Sequence, residues 1–141
     1  MATADTFQLQ IVSADRSLVD VPVSEVQIPG ADGYFGVLPG HTPLLALLGA
    51  GEVMYREGND TRHVALAYGF AEVQPDRVTI LAQAAEHAHE IDIARAEAAK
   101  RRAEGRLAEP QADMDYERAR IALLKSLMRL QVAQRIRVRG I

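Results

Sequence analysis

The fold of this chain is decided by residues 70–81, which read Phe70-Ala71-Glu72-Val73-Gln74-Pro75-Asp76-Arg77-Val78-Thr79-Ile80-Leu81. Two short runs of mainly apolar residues flank four residues in the middle, and the Pro-Asp pair there favours a tight turn. Apolar runs of this length around such a turn are typical of two antiparallel strands. The stretch therefore predicts a β-hairpin.

Upstream of this hairpin, short apolar-rich runs recur between turn signals. Residues 7–12 and 19–23 place apolar side chains at every second position, which puts them on one face of a strand. Residues 53–55 and 63–67 flank Glu57-Gly58-Asn59-Asp60, which predicts a second hairpin. Strands at this close and regular spacing are typical of a β-sandwich or barrel.

Downstream of the hairpin, the composition changes to alanine and charged residues. Residues 92–104 consist almost wholly of strong helix formers, and Asp92 is a good N-cap residue. Pro110 breaks the pattern, and a second helix with one apolar stripe follows. The stripe that we expect to pack on the alanines of the first helix contains Ala119, Ala122, Leu123, Leu127 and Leu130.

We therefore predict the α+β class, with an all-β sandwich followed by an antiparallel two-helix hairpin. The sandwich covers residues 1–87 and the hairpin covers residues 88–141. A chain of 141 residues can hold two small domains and bury a core without disulfides or metals.

Several classes of protein are excluded by composition. The chain has no cysteine, which removes disulfide scaffolds, thiolate zinc sites and cysteine nucleophiles. Residues 1–5 lack the basic start of a signal peptide, and no apolar run approaches the ~20 residues that span a bilayer. We expect a soluble protein in the cytoplasm.

Charge is distributed unevenly along the chain. Residues 1–87 hold eleven acidic and four basic side chains, a net charge of −7, whereas residues 88–141 hold eight acidic and twelve basic ones, a net charge of +4. Residues 118–141 contain seven basic residues and no acidic one. This end of the chain favours an anionic partner. Since it lacks aromatic residues for base stacking, we expect an acidic protein surface or a nucleotide and no nucleic acid.

Motifs for catalysis or metal binding are not found. Residues 30–45 are rich in glycine and proline, which indicates special backbone angles, but no Gly-Lys-Ser/Thr of a phosphate loop follows. His87 and His89 have only two neighbouring carboxylates, too few for a shielded metal site. No serine lies in a nucleophile elbow. We therefore predict no catalytic residue and no metal.

Three separated segments carry a resemblance to a known family. They are Gly36-Val37-Leu38-Pro39-Gly40-His41-Thr42-Pro43-Leu44, then residues 69–82 and then Ile91-Asp92-Ile93-Ala94-Arg95-Ala96. In order and spacing they are similar to the signature segments of the epsilon subunits of bacterial-type F-type ATP synthases. The resemblance runs from about Phe7 to Val132.

The resemblance implies a rotor subunit without catalytic residues. It implies a ten-stranded sandwich at the foot of the central stalk, in contact with the gamma subunit and the ring of c subunits. The contact residues would be Tyr34, Phe35 and His41. ATP would be made on the beta subunits, and membrane association on the cytoplasmic face of the bacterial plasma membrane would come only through the complex.

A regulatory role for the hairpin is also implied. In the family the hairpin either folds down against the sandwich or extends up along gamma, where it blocks ATP hydrolysis on the catalytic alpha and beta subunits. The basic residues of the second helix would be attracted to an acidic surface there. These residues are Arg118, Arg120, Lys125, Arg129 and Arg135.

ATP sensing is the second implied function, and no other cofactor is required. The family's Ile/Leu-Asp-x-x-Arg-Ala motif is present as Ile91, Asp92, Arg95 and Ala96. The implied nucleotide-binding residues are Glu86, Asp92, Arg95, Lys125 and Arg129. The alternative is that Asp92 only caps the helix and pairs with Arg95, while Lys125 and Arg129 are solvated.

One alternative function belongs to a different class. A β-sandwich ligand-binding module could dimerise through the stripe of Leu123, Leu127 and Leu130 on its hairpin. This reading explains the patterning but not three family segments in register, and it predicts a stable homodimer.

Overall fold

The computed structural model describes residues 5–109 and 115–139, and it describes only the backbone of residues 135–139. The chain divides into two compact units, Met1–His87 and Ala88–Ile141. The first contains the strands and the second the helices, so the predicted α+β class is confirmed.

Seven strands make up the described part of the first unit. They are β1 (Phe7–Ser13), β2 (Ser17–Val23), β3 (Glu25–Gly30), β4 (Gly33–Val37), β5 (Leu44–Glu57), β6 (Asp60–Val73) and β7 (Arg77–His87). The sheet order is β2-β1-β7-β6-β5-β3-β4. Both predicted hairpins are present, because Val53 pairs with Val64 and Phe70 pairs with Leu81.

The structure has seven strands where ten were expected, because each of three long strands takes part in both sheets of the sandwich. Residues 44–48, 69–73 and 77–82 pair with one another and, through β7, with β1 and β2. The same three strands continue as residues 50–57, 60–67 and 84–87. Here β5 pairs with β3, and β3 pairs with β4. We call the first set the lower sheet and the second the upper sheet. Each has five strand segments.

The core of this unit lies between the two sheets. Leu9, Ile11 and Ile80 of the lower sheet and Ile28 and Leu66 of the upper sheet are fully buried. Alternate residues point inward, as the period of two predicted. Burial of these side chains is the main source of stability for the sandwich.

The bend of β6 between the sheets depends on two unusual backbone conformations. Tyr68 has a φ of 63° and Gly69 a φ of 137°. A Cβ atom on Gly69 would lie 2.0 Å from the carbonyl oxygen of Leu81. Only glycine allows β6 and β7 to approach this closely.

The second unit begins with a short 3₁₀ turn at Ala88–Glu90 and continues with α1 (Ile93–Ala108) and α2 (Tyr116–Arg139). The predicted N-cap Asp92 is confirmed, because its Oδ1 accepts a hydrogen bond of 3.0 Å from the Arg95 amide. Asp115 caps α2 in the same way, accepting from the Arg118 amide at 3.1 Å. The predicted break at Pro110 lies outside the described residues.

The two helices meet through small residues. Small buried residues recur every seven positions, at Ala96 and Ala103 on α1 and at Ala119, Ser126 and Ala133 on α2, and Val132 is buried next to Ala133. The buried Ser126 hydroxyl donates to the Leu123 carbonyl at 2.9 Å, which satisfies it within the helix.

The predicted leucine stripe is therefore wrong in part. Ala119 is buried as expected, but Leu127 is 40% exposed, and Leu123 and Leu130 are only half-buried. Small side chains let the two backbones approach closely, so the leucines are displaced from the line of contact to its side.

Candidate functional site

The Ile91-Asp92-Arg95-Ala96 motif lies at the start of α1. Ile91 is buried, Asp92 caps the helix and Ala96 has no exposed surface at the contact with α2. Three of the four residues thus have a structural role in the helical unit. Asp92 and Arg95 are both exposed. Because Asp92 already caps the helix, Arg95 is the member of the motif best placed to bind a ligand.

The flank of the hairpin on which Arg95 lies can be derived from the helix period. Ala96 and Ser126 mark the line of contact, and each residue turns the helix by ~100°. Arg95 and Lys125 each come one residue before the contact position of their helix. Glu97 and Leu127 each come one residue after it. Glu97 and Leu127 line a common shallow groove, so they lie on one flank of the hairpin. Arg95 and Lys125 therefore share the other flank.

This second flank, which we call the cationic flank, contains further basic residues. Arg129 lies one turn beyond Lys125. Arg102 and Arg106 follow Arg95 by seven and eleven residues, so they lie on the same side of α1. Both are exposed. Arg102 and Arg106 were not among the predicted site residues, although their spacing from Arg95 was a usable signal.

The predicted nucleotide-binding residues are divided between the two units. Asp92, Arg95, Lys125 and Arg129 belong to the helical unit, and Glu86 lies on β7 of the sandwich. Lys125 and Arg129 are half-buried. Glu86, Lys125 and Arg129 each interact with a neighbouring group.

The basic residues of α2 differ in their surroundings. Arg118 is exposed, while Arg120 forms an ion pair with Glu117, one turn earlier, with 3.2 Å between Nε and Oε1. The hydrogen bond from Arg120 lowers the pKa of Glu117. Arg120 thus has a local counter-ion. Glu117 lies one residue before the acid-free segment 118–141, so the sequence pattern did not indicate this pair. The side chain of Arg135 lies outside the described residues.

Tyr34, Phe35 and His41 also have different environments. Tyr34 on β4 is 60% exposed, and its hydroxyl accepts a hydrogen bond of 3.0 Å from the Glu52 amide. Phe35 is partly buried against the core. The His41 Nδ1 lies 2.6 Å from the Thr42 carbonyl oxygen, and the Gly40 amide donates to Pro75 at 2.8 Å, which holds this loop to the turn between β6 and β7.

An exposed apolar row crosses the outer face of the lower sheet. Leu47 pairs with Phe70, and Phe70 pairs with Leu81, so the three side chains are neighbours on adjacent strands. They are 58%, 52% and 56% exposed. Leu45, two residues before Leu47, is 73% exposed on the same face. We call these four residues the outer apolar row.

The outer apolar row was not predicted from the sequence. Its signal was the presence of apolar residues at strand positions between the core positions, where a solvated face usually has polar residues. A contiguous exposed apolar patch of this kind indicates an interaction surface.

Metal binding and membrane spanning find no support among the described residues. No three histidine, cysteine or carboxylate side chains converge there. His87 instead has its Nε2 3.1 Å from the Leu18 carbonyl oxygen. Neither α1 nor α2, over its described residues, is long and apolar enough to cross a bilayer.

Comparison with known proteins identifies the family. Residues 6–88 match the family model described as "ATP synthase, Delta/Epsilon chain, beta-sandwich domain", and residues 89–134 match "ATP synthase, Delta/Epsilon chain, long alpha-helix domain". Together the two models span both units. The chain belongs to the family of ATP synthase delta/epsilon chains, which confirms the resemblance seen in the sequence.

Individual relatives agree with this assignment. The chain is 48% identical over 132 residues to the ATP synthase epsilon chain of Syntrophobacter fumaroxidans, covering 94% of this chain and 98% of the relative. It is 55% identical over 104 residues to that of Koribacter versatilis, covering 74% and 73%.

Among solved structures, a chain of the Euglena gracilis mitochondrial ATP synthase, in a structure of its OSCP/F1/c-ring, matches with a TM-score of 0.82 at 24% identity. The match covers 95% of this chain and 84% of that one. At this identity the likeness shows the fold alone.

Proposed function

We propose that this chain is a non-catalytic rotor subunit of the central stalk of a proton-translocating ATP synthase. It couples proton flow to ATP synthesis, while catalysis takes place on the beta subunits. The chain associates with the cytoplasmic face of the bacterial plasma membrane only through the complex. Membership of the delta/epsilon family supports this role.

The outer apolar row is the observation that carries the rotor role. Large side chains more than half exposed to water are unfavourable in an isolated protein and are stabilised when a partner covers them. The gamma subunit is the occupant we propose, because a rotor subunit needs a firm contact with the rotating shaft. Tyr34 and His41, near the exposed loops, are proposed to face the ring of c subunits or gamma, with Phe35 supporting them from the core side.

Binding to gamma tests the rotor role. Phe70→Asp places a charge in the middle of the row without changing the core, so we expect at least about a hundredfold weaker binding to gamma in titration calorimetry. Gln27→Asp, at an exposed position on β3, is the matched control and should bind like the unchanged protein. Equal affinity of Phe70→Asp and the control would contradict docking through this row.

The helical hairpin acts as a brake on ATP hydrolysis in this proposal. The cationic flank and Arg118 present several basic side chains. Such a surface is attracted to an acidic face of the alpha and beta subunits. Arg120 contributes less, because Glu117 already neutralises it, and Arg135 belongs to the same proposed contact.

Removal of the hairpin tests the brake. A chain that ends at Ala88 retains every residue of the sandwich core. Reassembled with the catalytic sector, it should raise the rate of ATP hydrolysis above that with the full chain. An unchanged rate would show that the hairpin does not inhibit.

We further propose that the hairpin senses ATP. The cationic flank supports this, because a triphosphate bridging Arg95 on α1 to Lys125 and Arg129 on α2 would relieve the repulsion between these cations. Glu86 and Asp92 complete the proposed set, and no other cofactor is required. Calorimetric titration with Mg-ATP should show saturable binding that is stronger than that of Mg-ADP and is lost in Arg129→Ala.

The competing proposal, a homodimer formed through the hairpin, rests on the exposure of Leu124 and Leu127, at 42% and 40%. Sedimentation of the isolated chain separates the two. The rotor proposal expects a monomer that forms a one-to-one complex with gamma, and a stable homodimer that ignores gamma would favour the alternative.

A further inference from the structure

Tyr34 makes a contact that its exposed position does not predict. Its hydroxyl reaches across β3 and accepts the Glu52 amide of β5 at 3.0 Å. A Cβ atom on Gly51 would lie 2.5 Å from the Tyr34 hydroxyl oxygen and 2.7 Å from the Pro29 Cβ. Gly51 is therefore the residue that lets the tyrosine side chain lie down on the sheet.

The pairing of β3 with β5 explains why this contact is needed. Gln27 pairs with Met54 and Gly30 pairs with Leu48, so the register shifts between them. Five residues of β5 face only two of β3 there, and regular strand hydrogen bonds are lost. Tyr34 supplies an acceptor for an amide that β3 does not satisfy.

The same interruption weakens the attachment of the sheet edge. β4 is an edge strand and pairs only with β3. The turn between them, residues 30–33, is held by the Gly30–Leu48 pair and by the Ala31 amide, which donates to Leu47 at 2.8 Å. Tyr34 adds a third attachment on the far side of the turn.

Glu52 is itself fixed from the other side. Its Oε1 lies 2.5 Å from Nδ1 of His63 on β6, and the two side chains are only 12% and 8% exposed. A continuous chain of contacts thus runs from β4 through β5 to β6. We call Tyr34, Glu52 and His63 the clasp.

We propose that the clasp residues are positioning residues that hold the β3–β4 turn rigidly against the centre of the upper sheet. This proposal rests on the proposed rotor function, because a surface that transmits torque must resist displacement under load. Tyr34 then acts through the backbone that it holds, in addition to the contact with gamma or the c subunits proposed above.

Hydrogen exchange measured by NMR on the full isolated chain tests the clasp. Tyr34→Phe removes only the hydroxyl, so the Glu52 amide should exchange about tenfold faster, with a smaller rise over residues 30–35. Tyr116→Phe is the matched control, because Tyr116 is 55% exposed on α2. Unchanged exchange at Glu52 in Tyr34→Phe would overturn the clasp.

A second variant tests the other half of the chain of contacts. Glu52→Gln leaves the backbone amide of residue 52 in place and removes the negative charge of the side chain beside His63. We expect a changed ¹⁵N shift at His63 Nδ1 together with faster exchange over residues 30–35. If residues 30–35 exchange at the same rate in Glu52→Gln as in the unchanged chain, Glu52 and His63 do not help to hold the turn.

The positioning role is tested in the assembled enzyme. In vesicles, Tyr34→Phe should lower the number of protons pumped per ATP hydrolysed, while Tyr116→Phe should not. An unchanged ratio despite faster exchange at Glu52 would overturn positioning. Failure of the unchanged chain to restore any pumping would instead contradict the proposed rotor function, and the exchange experiment would still decide the clasp.

Discussion

Single residues determine how closely the strands of the sandwich can approach. Gly69 combines a φ of 137° with a site where a Cβ atom would lie 2.0 Å from the Leu81 carbonyl oxygen. Neither problem can be solved by moving a flexible side chain, because the obstacle is backbone. The glycine in the family's signature segment thus has a physical reason.

We predict that Gly69→Ala destabilises the sandwich by roughly 2–4 kcal/mol, from the strained backbone and the overpacking together. Urea denaturation followed by circular dichroism measures the change. Gly36→Ala is the control, because nothing lies within 4 Å of its Cβ position and its φ is ordinary. Equal midpoints for the two variants would contradict this account of the bend.

Tyr55 provides a prediction of pH dependence. Burial raises the pKa of its hydroxyl above the ordinary value of 10.0, and the neighbouring Glu57 adds to the rise. Because the folded-state pKa is the higher one, the neutral form stabilises the fold fully below pH 10. That contribution is lost as pH rises through the folded-state pKa.

The expected result is that Tyr55→Phe loses less stability than the unchanged chain between about pH 9 and 12. Urea midpoints measured at several pH values in this range test it. Parallel slopes for Tyr55→Phe and the unchanged chain would show that this tyrosine does not titrate abnormally.

At the scale of elements, the helical hairpin depends on small residues at its line of contact. Ala96 has no exposed surface and Ala103 has 2%. We predict that Ala103→Leu forces the helices apart and destabilises the hairpin by about 1–3 kcal/mol. Leu127→Ala, at a half-exposed position, should destabilise the hairpin less than Ala103→Leu does. Loss of helical signal on heating measures both, and a larger effect of Leu127→Ala would restore the leucine stripe as the contact.

The N-cap of α1 allows capping to be separated from ligand binding. Asp92→Ala should destabilise α1 by about 1 kcal/mol, while Asp92→Ser should nearly preserve it, because a serine hydroxyl also caps. If Asp92 serves only as a cap, Asp92→Ser will bind Mg-ATP like the unchanged chain. Weaker binding by a variant with an intact helix would show that the carboxylate itself takes part in the site.

Local features of the elements could be predicted from the sequence, and their long-range contacts could not. The hairpin at residues 70–81 and the Asp92 cap depend on neighbours in sequence, and both are present. The buried face of α2 was misjudged because hydrophobicity favours leucine, whereas close approach of two backbones favours alanine. The contact between Tyr34 and Glu52 depends on a register shift in another strand pair, for which the sequence has no local signal.

At the scale of the whole molecule, the two units differ in how they are stabilised. The large buried core runs from Phe7 to Ala82 and lies within the sandwich unit. The described part of the helical unit buries mainly small side chains, together with Ile91 and Val132. Since stabilisation scales with the apolar area removed from water, the sandwich should be the more stable unit. A unit of low stability is suited to a regulatory element that changes position.

This difference predicts that the sandwich folds without the hairpin. A chain ending at Ala88 should unfold cooperatively in urea, with a midpoint close to that of the strand signal in the full chain. It should also bind gamma through the outer apolar row as the full chain does.

The isolated segment of residues 88–141 should be only partly helical, because a two-helix pair with so few large buried side chains is marginally stable. Circular dichroism and calorimetric titration with gamma check both halves of the prediction. A truncated chain that is unfolded, or an isolated hairpin more stable than the sandwich, would show that the hairpin is a structural support instead of a movable brake.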